Sequence, residues 1–183
     1  MPKRCVFLDR DGVLNKAFVR GGKSYPPDTL EEFTLLPGVE EACAALKKAN
    51  FLLVVVTNQP DVATGKQQRS TVNAMHARLR NLIPVDDIFT CFHVSGDACD
   101  CRKPKPGMIF QASEKHDIDV SASYLVGDRW RDIEAGDAAG CASVFIDHGY
   151  SEKRPTTQIA TITSLLEASA IILGAEDDAK NWQ

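Results

Sequence analysis

The sequence is poor in the features that mark membrane-spanning and nucleic-acid-binding chains. None of its apolar runs approaches the ~18 residues of a membrane-spanning helix, and the run near the N-terminus is too short for a signal peptide. The net charge of −4 comes without any block of basic residues, which argues against a nucleic-acid partner. We therefore expect a cytoplasmic protein that binds neither membrane nor nucleic acid.

Internal repeats, low-complexity tracts and linker-like stretches are missing as well. The 183 residues are enough for one hydrophobic core. A hydrophobic fraction of 44% and a charged fraction of 25% are those of an ordinary globular protein. These values predict a single domain over residues 1–183 that ends in a polar, frayed tail at 175–183. Because no apolar or basic patch is legible, we expect a monomer.

Short apolar runs alternate with amphipathic segments along the chain. The runs have the composition of strands buried on both faces and cover residues 6–8, 51–56, 88–94, 123–126 and 141–146. Helical spacing of apolar residues is found at 39–50, 66–82, 106–116, 130–140 and 162–173. Between them, the Gly- and Pro-rich residues 21–27 predict an irregular flap, and 30–36 a short strand or extended arm. The alternation predicts an α/β fold with an open parallel sheet and helices on both faces.

The first apolar run stops at two carboxylates, Asp9 and Asp11, with Gly12 directly after them. Residues two apart share one side of an extended chain, so both carboxylates can face one crevice at the carboxyl end of the strand. Two like charges held this close need a cation or a proton between them. Oxygen ligands with room for water favour Mg²⁺. A polar turn after a strand would explain an isolated Asp-x-Asp-Gly about as well.

Two other predicted strands end in polar signatures, at 57–58 (Thr-Asn) and 127–129 (Gly-Asp-Arg), and a basic cluster occupies 102–105. The carboxyl ends of parallel strands meet at one edge of the sheet, where ligands bind. Together with the first motif, these segments supply three carboxylates, a hydroxyl, an amide side chain and a lysine. Such groups position a phosphoryl group and neutralise its charge, so the set predicts phosphoryl transfer.

A second cluster of possible ligands is Cys91, His93, Cys99 and Cys101. Four soft ligands within eleven residues match a closed tetrahedral zinc site. All four positions would be filled by protein, so we predict a structural zinc that staples the loop 91–101 and presents the basic residues after it. The alternative is a group of reduced cysteines with an incidental histidine. Three cysteines in buried elements are interpreted as core residues, and three histidines without a partner pattern receive no role: Cys5, Cys43, Cys141, His76, His116 and His148.

The motifs at the four strand ends and loops, in this order, resemble the haloacid dehalogenase (HAD) superfamily of phosphohydrolases over about residues 4–150. The resemblance implies a Rossmann-like HAD sheet. It also implies no large cap domain, because the intervals between the motifs are short. It further implies a Mg²⁺-dependent phosphatase acting on a small phosphorylated molecule.

The resemblance implies a role for each motif residue. Asp9 would attack phosphorus and become an aspartyl phosphate, and Asp11 would act as general acid and then general base. Mg²⁺ would be held by Asp9, Asp128 and the backbone carbonyl of Asp11, while Thr57 and Lys103 would hold the phosphoryl oxygens. Asp132 would support the metal site or the start of a helix. The implied substrate contacts are Arg10, Asn58, Gln59, Pro60, Arg102 and Arg129.

The Cys-x-His pair and the downstream Cys-x-Cys-Arg-Lys-Pro-x-Pro-Gly-Met resemble the D-glycero-D-manno-heptose 1,7-bisphosphate phosphatases and the related histidinol-phosphate phosphatases. The continuation at 106–108 is closer to the heptose branch, whose reaction removes the C7 phosphate and leaves the heptose 1-phosphate. Two departures bear on the substrate and its anomer. The segment 60–65 lacks the arginine that the heptose enzymes usually carry there, and position 129 is Arg in place of Lys.

Three alternatives stay open from the sequence. The first is a histidinol-phosphate phosphatase, and the second is a phospho-accepting signalling domain on a similar sheet. In such domains the accepting aspartate ends the third strand, whereas here that strand ends near Cys91 with no Asp at its tip. The third is a degenerate zinc-bearing binding module, which the complete motif set disfavours.

Overall fold

The computed structural model describes the backbone of residues 2–181 and side chains as far as residue 175. Five helices are present in this part of the chain: α1 (Val39–Lys48), α2 (Arg69–Leu82), α3 (Gly107–His116), α4 (Trp130–Ala139) and α5 (Leu165–Asn181). The strands are β1 (Cys5–Leu8), β2 (Phe18–Arg20), β3 (Lys23–Tyr25), β4 (Leu52–Asn58), β5 (Asp87–Cys91), β6 (Tyr124–Gly127), β7 (Ala142–Ile146) and β8 (Ala160–Ile162). A single 3₁₀ turn covers Val120–Ala122.

Six of these strands form one parallel sheet in the order β5-β4-β1-β6-β7-β8, which confirms the predicted α/β architecture. The first strand lies in the middle, between β4 and β6, although those strands are far from it in sequence. Their carboxyl ends are therefore neighbours. The strand order reverses at this point, which is where open α/β sheets bind their ligands.

The two faces of the sheet are covered by different helices. Alternate residues of β1 point to opposite faces, so Val6 and Leu8 pack with α1, α2 and α5, while Cys5 and Phe7 pack with α3 and α4. All four of these side chains are completely buried. Burial on both faces explains why the strand reads as an unbroken apolar run. Cys43 and Cys141 are also buried core residues with free thiols, as predicted.

The structure corrects several predicted boundaries. The third large strand stops at Cys91 rather than residue 94, because the chain turns there into the Cys/His loop. Residues 30–36 form turns with one isolated bridge between Asn15 and Leu35, not a strand. The final helix begins at Leu165 rather than residue 162 and continues to Asn181 rather than residue 173, so it includes most of the predicted tail; residues 182–183 of that tail lie outside the described part.

Two short elements are present that the sequence did not predict. The Gly/Pro-rich flap contains an antiparallel hairpin, β2–β3, and the segment after β7 returns as the edge strand β8. Each of these strands has three residues and is only partly buried, so neither carries a periodic apolar signal. Within the described residues, no helix is both long enough and apolar enough to cross a membrane.

Candidate active site

The three central strands bring the polar motifs together at one edge of the sheet. Asp9 directly follows β1, Thr57 and Asn58 end β4, and Asp128 directly follows β6. The backbone N–H of Asp9 still donates to the carbonyl of Val126 at 3.0 Å, which extends the pairing of the strands into the site. The backbone pairing of the sheet thus fixes the position of the Asp9 main chain, from which the carboxylate extends into the site.

Three carboxylates form a compact cluster at this edge. One oxygen from each of Asp9, Asp128 and Asp132 lies within 4.8 Å of the others, and each residue is at most 8% exposed. Lys103 supplies the cation that touches the cluster directly, with Nζ 2.8 Å from Asp9 Oδ1 and 2.6 Å from Asp132 Oδ1. The same ammonium donates to the carbonyl of Val56 at 2.7 Å. One lysine does not balance three carboxylates, so the cluster keeps an excess of negative charge.

Burial and the neighbouring charges set the pKa values of the cluster. Burial raises the pKa of Asp9 to about 6, with Lys103 opposing the shift and the charge of Asp132 adding to it. Burial and then the charge of Asp9 raise the pKa of Asp128 well above its usual range. The charges of Asp132 and Asp9 outweigh burial and raise the pKa of Lys103, which therefore stays protonated.

The cluster fits a hard divalent cation. Asp128 Oδ2 accepts a hydrogen bond from the hydroxyl of Tyr150 at 2.8 Å, but Oδ1 of the same carboxylate is buried without a partner among the described residues. A buried carboxylate oxygen without a hydrogen bond is costly. An oxygen-ligated cation such as Mg²⁺ would satisfy it and would relieve the repulsion among the three carboxylates.

Asp132 belongs both to the start of α4 and to the carboxylate cluster. Its Oδ2 accepts a hydrogen bond from the backbone N–H of Arg129 at 2.9 Å, which caps the start of α4. Its other oxygen, Oδ1, forms the ion pair with Lys103. The helix start and the carboxylate cluster are therefore held by one side chain.

Asp11 faces the same cavity but does not join the carboxylate cluster. Its carboxylate accepts hydrogen bonds from Arg10 Nη2 at 3.0 Å, Asn15 Nδ2 at 2.9 Å and Gln59 Nε2 at 2.8 Å. Gln59 also donates to Thr57 Oγ1 at 2.9 Å, so it connects the ends of β1 and β4. The result is a carboxylate held by side chains at a fixed place beside the cluster.

Arg10 and Gln59 are placed behind the site rather than in its wall. Arg10 is completely buried, and its guanidinium lies against Asp11, the ring of Phe33 and Nε2 of His76. Neither Arg10 nor Gln59 lines the cavity, and Thr57 is also buried below the surface at 1% exposure. The sequence could not separate these polar residues from substrate contacts, because their burial depends on pairing with one another.

Gly12 allows the first motif to pass close to Asp128. Its φ is +87°, a conformation that L-residues with side chains rarely adopt, and an added Cβ would lie 1.9 Å from Asp128 Oδ2. Its carbonyl oxygen lies 2.7 Å from Nε2 of His148. Tyr150 and His148 thus support the motif and Asp128 from the segment after β7. No sequence pattern links that segment to the site.

A cavity of about 250 Å³ opens above these groups. Its floor contains Asp9, Asp11, Lys103 and Asp132, and one wall is the β2–β3 hairpin with Pro26. The carbonyl of Gly22 anchors this hairpin, since it accepts a hydrogen bond from the backbone N–H of Ser151 at 2.8 Å. The remaining lining residues are Asn58, Pro60, Asp61, Arg102, Arg129 and Arg131.

Asn58 holds the basic loop against β4. Its Nδ2 donates to the carbonyl of Lys103 at 3.1 Å, and its Oδ1 accepts from the backbone N–H of the same residue at 3.2 Å. Arg129 lines the cavity while paired with Glu152, to which its Nε donates at 3.0 Å. Arg102 lines the cavity as well, and its Nη1 donates to the carbonyl of His93 at 2.9 Å.

The four residues of the predicted zinc site come together at the end of β5. One ligand atom from each of Cys91, His93, Cys99 and Cys101 lies within 4.8 Å of the others. The Sγ atoms of Cys91 and Cys101 are 3.0 Å apart, too far for a disulfide, and all the cysteines are free. Burial and the neighbouring Cys91 raise the pKa of Cys101 to about 12, as expected for thiols crowded together. Three thiols and one imidazole match the donor set of a tetrahedral zinc site.

Comparison with known proteins places this arrangement among phosphatases. Residues 100–167 match the HAD-hydrolase-like family model. The chain is 36% identical over 177 residues to D-glycero-beta-D-manno-heptose-1,7-bisphosphate 7-phosphatase of Pseudomonas putida, covering 92% of this chain and 97% of that protein. It is 40% identical over 154 residues to the protein of the same name from Pseudomonas aeruginosa, covering 81% and 84%.

A solved structure gives the same picture in three dimensions. The crystal structure of D,D-heptose 1,7-bisphosphate phosphatase from B. bronchiseptica, complexed with magnesium and phosphate, is similar with a TM-score of 0.80 and 31% identity. The similarity covers 94% of this chain and 99% of the other.

Proposed function

The chain belongs to the D-glycero-beta-D-manno-heptose-1,7-bisphosphate 7-phosphatase family of HAD-like hydrolases, and from this we infer that it removes the C7 phosphate of heptose 1,7-bisphosphate. The observation that carries the inference is the pair of buried carboxylates, Asp9 and Asp128, at the carboxyl ends of neighbouring strands, with the buried ammonium of Lys103 against Asp9. The relatives give no support to a histidinol-phosphate phosphatase. Their names favour the beta anomer, which we propose as the preferred one.

We propose that Asp9 is the nucleophile. Its carboxylate would attack phosphorus, form the new O–P bond and release the sugar oxygen, and water would then hydrolyse the aspartyl phosphate. Lys103 supports this role because its ammonium lies 2.8 Å from Asp9 Oδ1 and keeps a positive charge where the phosphoryl oxygens would gather. The burial of both side chains strengthens that interaction.

Asp11 is proposed as general acid and base. It borders the same cavity as Asp9 and would give a proton to the departing sugar oxygen, then take one from the attacking water. Arg10, Asn15 and Gln59 hold its carboxylate and are proposed as positioning residues. This assignment replaces a direct substrate contact for the side chains of Arg10 and Gln59, since neither borders the cavity.

The carboxylate cluster supports Mg²⁺ as the catalytic ion. Asp9, Asp128 and the backbone carbonyl of Asp11 would hold it, and Asp132 would support the site through its contact with Lys103. When bound, the ion supplies positive charge next to the phosphoryl oxygens. The partnerless Oδ1 of Asp128 is the structural observation that argues for it.

The Cys/His cluster supports a structural zinc. A zinc ion held by Cys91, His93, Cys99 and Cys101 would close the loop that leads directly into Arg102 and Lys103. Substrate contacts would then come from the side chains that border the cavity: Asn58, Pro60, Arg102 and Arg129. Thr57 would hold a phosphoryl oxygen deep in the site, and its hydroxyl also accepts a hydrogen bond from Gln59, which holds Asp11.

The test is phosphate release with Mg²⁺ from both anomers of D-glycero-D-manno-heptose 1,7-bisphosphate and from histidinol phosphate, compared by kcat/KM. We expect the beta anomer to give the highest value. A higher value for histidinol phosphate, or weak activity on all three, would contradict the proposed substrate. In the second case, the segment 60–65 is where specificity would have changed.

A further inference from the structure

The cations that border the cavity differ in whether a carboxylate pairs with them. Lys103 is paired with Asp9 and Asp132, and Arg129 is paired with Glu152. Arg102 and Arg131 also border the cavity, yet within the described part of the chain neither forms an ion pair. The cavity is already suited to one phosphate at Asp9. Two arginines without carboxylate partners beside it could bind a second anion.

Arg131 stands where the cavity continues outward. It is in the first turn of α4, directly before Asp132 of the carboxylate cluster. A groove next to the cavity runs along the Cys/His loop at 94–97, and both Arg131 and Arg102 border the cavity and this groove. The two guanidinium groups therefore mark the junction between the reacting centre and the space beyond it.

The side chain of Arg131 is held in place by an aromatic ring. Its Cζ lies 4.9 Å from the centre of the Trp130 ring, and Lys153 Nζ lies 4.7 Å from the same ring. Burial and then the charges of Arg129 and Arg102 lower the pKa of Arg131, as expected for cations gathered around one space. Arg102 and Arg131 have no carboxylate partner among the described residues, and a phosphate dianion bound between them would offset their repulsion.

We propose that Arg131, together with Arg102, binds the second phosphate of the bisphosphate, the one that is not hydrolysed, and that Arg131 thereby determines specificity for bisphosphates. The inference rests on the proposed function. The segment 60–65 supports the assignment, because it contributes Pro60 and Asp61 to the cavity and no cation. A guanidinium can meet two phosphate oxygens at once, which suits recognition of a group that stays bound and unreacted.

The test compares two substrates that differ only in the second phosphate. We measure kcat/KM for D-glycero-D-manno-heptose 1,7-bisphosphate and for the corresponding 7-phosphate, and take the ratio as the preference. Arg131→Gln should lower this ratio by about 10- to 100-fold, the range expected for losing hydrogen bonds to a charged group. Arg131→Lys should recover part of the preference, because it restores the positive charge but not the paired N–H donors of a guanidinium.

Lys153→Gln is the matched control. It removes the other cation at the Trp130 ring, which is paired with Glu134 and does not border the cavity, so the wild-type ratio should persist. A preference that survives in Arg131→Gln, or an equal loss on both substrates, would overturn the assignment of Arg131 while leaving the phosphatase function standing. A wild-type enzyme without preference for the bisphosphate would contradict both the assignment and the proposed substrate.

Discussion

The carboxylate cluster and the Cys/His cluster lie side by side, but the chain builds them in opposite ways. The carboxylates come from the ends of β1 and β6 and from α4, and are almost completely buried. The Cys/His cluster comes from eleven consecutive residues, 91–101, of which only Cys91 is buried. The first depends on the order of the strands, whereas the second needs only a local loop.

Lys103 connects the two clusters. It lies two residues after Cys101, and its ammonium reaches Asp9 and Asp132. Asn58 fixes its backbone to the end of β4. Damage to the carboxylates should therefore stop the chemistry with little effect on the loop, while damage to the loop should affect stability first and chemistry second, through Lys103.

Asp9→Asn should give the largest effect on activity. Without the nucleophile, turnover should fall by at least about 10³-fold, while the fold and the zinc content stay unchanged because Lys103 keeps Asp132 as a partner. Phosphate release and zinc content measured on the same preparation check this. Asp100→Asn, at an exposed loop position, is the control and should keep wild-type turnover. Substantial activity in Asp9→Asn would refute the covalent route.

Gly12→Ala should damage the carboxylate cluster by crowding. The new Cβ would meet Asp128 Oδ2 at 1.9 Å, so we expect kcat/KM to fall by about 10²-fold and the affinity for Mg²⁺ to weaken. Gly65→Ala is the matched control, because Gly65 also has a positive φ (+73°) but nothing lies within 4 Å of its Cβ position. Equal losses in the two variants would mean that backbone strain, not the contact with Asp128, is responsible.

Cys99→Ser should act on the other cluster and reverse the order of effects. Zinc content and melting temperature should fall together, because metal binding contributes to the free energy of folding. Activity should fall less than in Asp9→Asn, by roughly 10-fold, as the loop before Lys103 loosens. Cys43→Ala, a change in the core away from the loop, should leave the zinc content at the wild-type value. Loss of zinc without any change in melting temperature would contradict the structural role.

His76→Gln should give the smallest effect, and only in acid. Burial, and then the charge of Arg10, lower the pKa of His76 to about 4, so the folded protein binds this proton less readily than the unfolded chain does. The free energy of unfolding of the wild type should therefore fall as the pH decreases from about 6.5 to 4. Between pH 7 and pH 5 the free energy of unfolding of the variant should therefore fall by about 1–2 kcal/mol less than that of the wild type. Denaturant unfolding at pH 7 and pH 5 measures the difference; parallel curves for the two proteins would disprove it.

The comparison of the two clusters also explains what the sequence could predict. The Cys/His cluster can be predicted because its four residues are close together in the chain. Asp9, Thr57 and Asp128 were legible because each follows an apolar run, and a parallel sheet brings such ends together. The family resemblance supplied the link to Lys103, since nothing local ties that residue to Asp9.

The supporting residues could not be predicted for the same physical reasons. Tyr150 and His148 reach Asp128 and Gly12 from a segment with no periodic pattern, so only the folded chain relates them to the site. An arginine is usually found at the surface or in contact with a ligand. Arg10 is buried instead, because its guanidinium forms an ion pair with Asp11 and lies over the ring of Phe33. Three-residue strands such as β8 fall below the length at which alternation can be recognised.

The β2–β3 hairpin limits the size of the cavity at the candidate active site. The carbonyl of Gly22, in the turn of the hairpin, accepts a hydrogen bond from the backbone N–H of Ser151. The hairpin is therefore fixed at its turn as well as where its two strands join the rest of the chain. Because it borders a cavity of only about 250 Å³, a fixed hairpin leaves room for a small phosphorylated molecule and little for a larger one.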